Sequence, residues 1–325
     1  MCVTYEKQII SVTSQLIKQI SPSRLVSSRK GDNGIVLIIG GSGIYHGAPL
    51  LSTLSALRSG VDLVYTAIPK SNVAALRSFS PNIIALPFPN DEFTIGSAKY
   101  LLNILPKKPD VVSIGMGMNI AKPASLLYII KELKKIGSKL LLDASALIPE
   151  IIEDISGTNT IVTPHLGEYK RLFQKEQDYF GRTMDATVTP RTKTTLKELA
   201  LNVYRVAKKY GITIILKGYY NIICNGEYTQ QVQQQKHIAV IKRTTPAMTV
   251  GGCGDVLSGV VAGLLTKVLD PFSASIAGVY LTGMAGDLAY QRVGLHMVAT
   301  DLIEQLPNTM KPFDKTISEP ESSFV

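Results

Sequence analysis

Short apolar runs that end in glycine or polar residues alternate along the chain with longer segments whose apolar residues recur every three or four positions. Residues 35–39, all Ile, Val or Leu, run into Gly40 and Gly41 and predict a strand buried on both faces. Residues 63–67, 111–114, 140–142, 160–163 and 213–216 repeat the pattern. Between them, residues 50–59 are predicted helical with Gly60 as the stop, and residues 123–136 open on proline and stop at Gly137. Leu196, Leu199, Val203 and Val206 make one face of a helix running into Lys208 and Lys209. Residues 255–266 and 274–291 predict two further helices, rich in Gly, Ala and Ser and suited to close packing. Strands separated by helices of this length predict right-handed βαβ units and a mostly parallel sheet covered on both faces. Such α/β sheets bind ligands at the C-terminal ends of their strands.

Three segments depart from this rhythm. Residues 5–20 read as a short amphipathic helix on Ile9, Ile10, Val12, Leu16 and Ile20, within an N-terminal helical extension over residues 1–29. Residues 174–195 are polar and weakly patterned and read as an inserted loop. Residues 307–325 read as a C-terminal tail, which leaves residues 30–306 as the main domain.

Composition narrows the class. With 45% hydrophobic and 18% charged residues, the chain has the material for a large core and not the profile of a disordered one. The formal net charge of +9 suits an anionic ligand such as a nucleotide, and equally suits loose nucleic-acid attraction or solubility. The basic stretch 170–209 holds ten Lys or Arg against four Asp or Glu, on a loop and a solvated helix face without an aromatic stacking platform, so no nucleic-acid partner is expected. No signal peptide is evident, and the most apolar long stretch, 256–269, contains Lys267 and is too short to span a bilayer. A cytoplasmic protein without a membrane partner is expected, which the three cysteines Cys2, Cys224 and Cys253, without CxxC spacing, also suit. His46, His165, His237 and His296 show no metal-ligand spacing, so no protein metal site is expected.

The strongest chemical signal is Gly251-Gly252-Cys253-Gly254-Asp255 at the start of a predicted helix. Glycines let several N–H groups point at one anion, and the helix adds the positive end of its dipole. Asp255 then lies in the first turn, either as a base for a hydroxyl that attacks phosphorus or as a helix cap. Gly41-Ser42-Gly43 and Gly115-Met116-Gly117 follow strands, but position 46 is His and position 120 is Ile, so neither completes GxGxxG; GxxxxGK[ST] is absent. His165 lies in Thr163-Pro164-His165-Leu166-Gly167-Glu168 at a strand end, where a loop residue is either structural or part of a site.

Several blocks, in order, resemble the NAD(P)H-hydrate dehydratase family. They are Lys30-Gly31-Asp32-Asn33-Gly34, Gly40-Gly41-Ser42, Tyr45-His46-Gly47-Ala48-Pro49 and Ala56-Leu57-Arg58-Ser59-Gly60, then the histidine loop 163–168, Ile215-Leu216-Lys217-Gly218, and the glycine turn extending to Gly259. The resemblance implies a ribokinase-like α/β/α sandwich with a mostly parallel central sheet and no separate lid domain. It implies ADP-dependent dehydration of the (6S)-hydrate of NADH or NADPH, with ATP as the alternative nucleotide and Mg²⁺ on the phosphates. The family's substrate positions carry over to Ala48, Gly117, His165 and Asp255, with Asp255 catalytic. Its nucleotide positions carry over to Lys217, Gly218, Tyr219, Tyr220, Asn221 and Gly254, and the N–H groups of Gly252 and Cys253 would share in holding the phosphoryl group. A homo-oligomer is expected. Cys253 stands where the family usually has threonine, and Asn221 where its nucleotide segment usually ends in threonine. About thirty residues precede the core, so no N-terminal epimerase domain is expected. A small-molecule kinase of the hydroxyethylthiazole type would share the glycine turn and base, but not the histidine loop or the Ala48 block.

Overall fold

The computed structural model describes residues 9–158, 160–179, 193–226, 236–268 and 270–318. Its strands are β1 (Ile9–Ile10), β2 (Ser23–Leu25), β3 (Ile35–Ile39), β4 (Leu63–Pro69), β5 (Ile84–Phe88), β6 (Val111–Ile114), β7 (Lys139–Leu142), β8 (Ile161–Val162), β9 (Thr213–Leu216), β10 (Tyr220–Asn225), β11 (Ile238–Lys242) and β12 (Lys315–Ile317). Its α-helices are α1 (Ser14–Ile20), α2 (Gly47–Arg58), α3 (Val73–Phe79), α4 (Ile95–Ile104), α5 (Pro123–Lys135), α6 (Ile152–Ile155), α7 (Leu166–Leu172), α8 (Lys193–Tyr210), α9 (Cys253–Lys267), α10 (Pro271–Val293) and α11 (Ala299–Met310).

Ten strands form one sheet in the order β1-β11-β10-β9-β8-β7-β6-β3-β4-β5. Among the described residues only β10 runs antiparallel to its neighbours. Strand side chains alternate between faces, so Leu37 and Ile39 enter the core beneath α4, α5, α7 and α8, while Val36 and Ile38 enter the core beneath α9, α10 and α11. All four are fully buried, which accounts for the unbroken apolar run at residues 35–39. Chain order reverses between β3 and β6, and a crevice at the C-terminal ends of the strands follows from that reversal.

Helix α9 crosses β3, β6 and β7 and packs along α2 at backbone distance. A methyl group on Gly259 would overlap the Ser52 carbonyl oxygen and the Ser55 hydroxyl. The Ser52 hydroxyl donates to the Asp255 carbonyl oxygen at 2.7 Å, which ties the first turn of α9 to α2. The small residues read as packing surface are thus what seats the N-terminus of α9 at the strand ends.

The termini differ from the sequence expectation. The helix expected over residues 5–20 starts only at Ser14, where the Thr13 hydroxyl accepts from the Leu16 N–H at 3.2 Å, and residues 1–8 lie outside the described residues. Ile9 and Ile10 instead pair in parallel with Ile238 and Ala239, as β-branched residues at a sheet edge can. Helix α11 runs through Pro307, and Lys315–Ile317 pairs with Ser23–Leu25, so the two terminal segments form a small sheet together. Of the expected loop 174–195, Gln174–Tyr179 is a 3₁₀ segment, Lys193 opens α8, and residues 180–192 lie outside the described residues. Among the described residues no helix is long and apolar enough to cross a membrane.

Gly259→Val should loosen α9 from α2, because the overlap is with backbone and cannot be relieved by a rotamer change. A loss of about 3 kcal/mol in unfolding free energy is expected, read by urea denaturation. A loss below about 1 kcal/mol would mean the two helices do not approach this closely.

Candidate active site

The glycine turn opens α9. Gly252 is its N-cap, with φ of 93° in the left-handed region, and a methyl there would lie 2.6 Å from Leu51 Cδ1 and 2.8 Å from the Ala299 methyl. Both the backbone angle and the space therefore require glycine. The first-turn N–H groups of Cys253, Gly254 and Asp255 have no intrahelical partner by geometry and are the ones free for an anion. The N–H of Gly252, as the N-cap, precedes them in the same orphaned set, so the expected Gly252–Gly254 groups lie within it and Asp255 adds to it.

Lys217 leaves the end of β9 and turns into the site. Its N–H donates to the Pro164 carbonyl oxygen at 2.8 Å, and Lys217 bridges to His165, so the histidine loop and the end of β9 are laced together. Its side chain is only 20% exposed, and its ammonium lies 3.3 Å from where a Gly254 methyl would stand. This excludes a solvent-facing lysine and brings the strand end to the glycine turn. The ammonium donates to Asp143 Oδ1 at 2.7 Å, and the Ser258 hydroxyl donates to Asp143 Oδ2 at 2.6 Å. Asp143 follows β7 and is 2% exposed. Burial opposes its charge, yet Lys217 and the hydrogen bonds outweigh burial and hold its carboxyl below the usual value.

Asp255 has the opposite environment. Burial first, then the charges of Asp143 and Glu168, push its carboxyl up to about 7 against the pull of Lys217. Two carboxylates in one site thus have separated proton affinities, one fixed as an anion and one poised to exchange a proton near neutrality.

His165 is the N-cap of α7. Its Nδ1 accepts from the Gly167 and Glu168 N–H groups at 3.0 and 3.3 Å, while Glu168 Oε2 accepts from the His165 N–H at 2.8 Å. With Nδ1 an acceptor, the neutral ring carries its proton on Nε2, which faces Glu168 Oε1 at 3.5 Å and is otherwise open, the side chain being 60% exposed. Ala48 and Gly117 meet as well: a methyl on Gly117 would lie 3.2 Å from Ala48 Cβ, at the reversal between β3 and β6. In the segment Lys217 to Asn221, the Gly218 N–H donates to Asn221 Oδ1 at 3.3 Å, and Tyr219 and Tyr220 make an edge contact at 4.9 Å. Asn221 therefore shapes that turn with its own side chain.

The family model for NAD(P)H-hydrate dehydratase matches residues 36–308. The chain belongs to the NAD(P)H-hydrate dehydratase family. An ADP-dependent (S)-NAD(P)H-hydrate dehydratase of Nitrosopumilus maritimus is 46% identical, over 94% of this chain and 98% of its own length. Two solved structures share the fold. The ADP/ATP-dependent NAD(P)H-hydrate dehydratase of Bacillus subtilis, co-crystallised with ATP and Mg²⁺, has a TM-score of 0.73 at 23% identity and covers 93% of this chain and 98% of its own. A ribokinase-like superfamily protein of Enterococcus faecalis has a TM-score of 0.71 at 22% identity, over 95% and 96%. The ribokinase-like architecture implied by the sequence resemblance is the fold of this dehydratase-family chain.

Sequence reasoning missed three residues of this site. Asp143 stands at a strand's C-terminal end, a position that favours ligand contact in such sheets, but its partners lie 74 and 115 residues away. Ser258 was legible only as part of the glycine turn's continuation. Arg243, just beyond β11, donates its N–H to the Tyr219 carbonyl oxygen at 2.8 Å, while its Nε is buried with no partner among the described residues. Burial pushes the Cys253 thiol up to about 11, with Arg243 opposing and Asp255 adding to the rise, so it stays protonated near neutrality.

An unfolded aspartate titrates near 3.8, whereas Asp255 in the folded chain titrates near 7. This group's contribution to stability is therefore full below about 4 and is lost as pH rises through about 7. Asp255→Asn, neutral throughout, should be more stable than the parent at pH 8, by up to about 4 kcal/mol, and match it at pH 4. Calorimetry at both pH values checks this; a parent that is the more stable at pH 8 would contradict it.

Proposed function

We propose that this chain repairs the 6-hydroxy adduct of NADH or NADPH, using ADP to convert its hydroxyl into a leaving group. What supports this is the approach of the Lys217 ammonium to the first turn of α9, where Asp255 stands, with the backbone of Lys217 bridged to that of His165. Hydroxide leaves poorly from saturated carbon, so the hydroxyl must be activated. Asp255 takes the hydroxyl proton as its oxygen bonds to the terminal phosphorus of ADP. The bond from that phosphorus to the bridging oxygen breaks, and AMP departs. The nitrogen lone pair of the ring then expels inorganic phosphate, and loss of a ring proton to water restores the dihydronicotinamide.

The N–H groups of Cys253, Gly254 and Asp255 and the Lys217 ammonium lie where negative charge develops on the transferring group. The Lys217 to Asn221 turn, with Tyr219 and Tyr220, receives the remainder of the nucleotide, and Gly252 supplies the bend that admits it. His165 Nε2, Ala48 and Gly117 line the side on which the hydrated dinucleotide binds. Mg²⁺ would neutralise phosphate oxygens. In this reading such an ion is carried by nucleotide oxygens and water. The partners in this reading are the hydrated dinucleotide and ADP, within a cytoplasmic homo-oligomer, with no part for nucleic acid.

Incubation of the protein with hydrated NADH and ADP should return absorbance at the NADH wavelength, with one AMP and one inorganic phosphate for each NADH. Asp255→Asn should lower turnover by about 10²-fold or more. NADH recovered well in excess of AMP would overturn the co-substrate role of ADP, and a stable phosphorylated product would mark a kinase instead.

A further inference from the structure

The pairing of Lys217 leaves a question that the reaction itself does not answer. An ammonium beside a candidate base is a hazard, because a direct ion pair with Asp255 would hold that carboxylate ionised and too weak to take a proton. Lys217 is near enough to act electrostatically on Asp255, yet its hydrogen bond goes to Asp143. Three features fix Asp143 in that role. Its second oxygen is occupied by the Ser258 hydroxyl, three residues beyond Asp255 on the same helix face. Its Oδ1 also accepts from the Ala144 N–H at 2.9 Å. Ala144 itself has φ of 48°, the only non-glycine residue in the left-handed region among the described residues. Strain of about 1 kcal/mol or more at a non-glycine residue persists only where its surroundings hold it.

We propose that Asp143 is a positioning residue for the dehydratase reaction: it clamps the Lys217 ammonium beside the phosphate turn and, by holding that charge, keeps Asp255 unpaired and available as a base. This rests on the function proposed above. The charged groups that act on Asp255 are Asp143 from the end of β7, Lys217 from the end of β9 and Glu168 from α7. Cys253 lies two residues before it on α9 and stays protonated, and α2 meets this turn through the Ser52 hydroxyl. Only Lys217 among them carries positive charge, so its allocation sets how far burial and the two carboxylates are opposed.

The test is a ¹³C NMR titration of the Asp255 carboxyl in the full chain, run beside the pH dependence of kcat/KM for ADP-driven NADH recovery. In the parent the carboxyl should titrate near the pH of about 7 set by its surroundings. In Asp143→Asn the lost Asp143 charge and the freed ammonium turning to Asp255 should together lower that midpoint by about one pH unit or more, with the acid limb of kcat/KM moving the same way and kcat at pH 8 falling about tenfold or more. Asp143→Asn combined with Lys217→Met removes both charges and keeps the pair neutral, which a buried site tolerates better than one lone charge. In that double variant the midpoint should return to the parent value or above, a reversal that mere structural damage would not produce. An unchanged or raised midpoint in Asp143→Asn would overturn the proposal; should that variant fail to fold, a midpoint in the double variant well below the parent's would do so. The NMR midpoint needs no turnover, so a parent that titrates as expected but recovers no NADH would remove the proposed function and not the charge arrangement.

Discussion

The approach of α9 to α2 at backbone distance is the constraint on which the site depends. Gly259 leaves no room for a side chain against the Ser52 carbonyl, and the Ser52 hydroxyl holds the Asp255 carbonyl. Together they set where the first turn of α9 ends up relative to β3, β6 and β7. Close helix packing is usually discussed as stability. Here it also fixes the direction of a helix dipole and of three N–H groups toward the strand ends. Gly252 then bends the chain into the helix from a left-handed position crowded by Leu51 and Ala299.

Around that turn, burial and charge divide the work between two carboxyl groups. Asp143 is as deep as any group in the site, but a lysine and a serine offset the cost of its charge. Asp255 is less deep, yet lacks a dedicated cation and feels two neighbouring anions, so its proton affinity rises. The same low-dielectric surroundings produce opposite outcomes because one carboxylate is paired and the other is not. Burial weighs on both groups, and the pairing of Lys217 with Asp143 and not with Asp255 separates them.

Legibility in the sequence followed burial. β3 was legible because burial on both faces writes an unbroken apolar run, and β6 and β9 because only Ser113 and Thr213 depart from one. Between residues 68 and 110 no element was expected, yet α3, β5 and α4 lie there. Pro81, Pro87 and Pro89 break the pattern, and β5 accommodates proline because it is the edge strand of the sheet. The glycine turn, the histidine loop and Lys217 were legible as local motifs at strand ends. Asp143 and Arg243 were not, since their meaning arises from neighbours distant in the chain. The Ile9-Ile10 pair misled for a related reason: two apolar residues suit a helix face and an edge strand equally, and only pairing with β11 decides.

In the proposed reaction the substrate's own oxygen leaves as part of the phosphate, and an isotope tests this. Hydrated NADH would be prepared in ¹⁸O water, transferred to ordinary water, and turned over with ADP while the phosphate is collected for mass spectrometry. If the hydroxyl attacks phosphorus before the carbon–oxygen bond breaks, the inorganic phosphate should carry one ¹⁸O for each NADH recovered. Phosphate without ¹⁸O, with the label released to water, would mean that the hydroxyl leaves unphosphorylated and that the role assigned to Asp255 and the glycine turn is wrong.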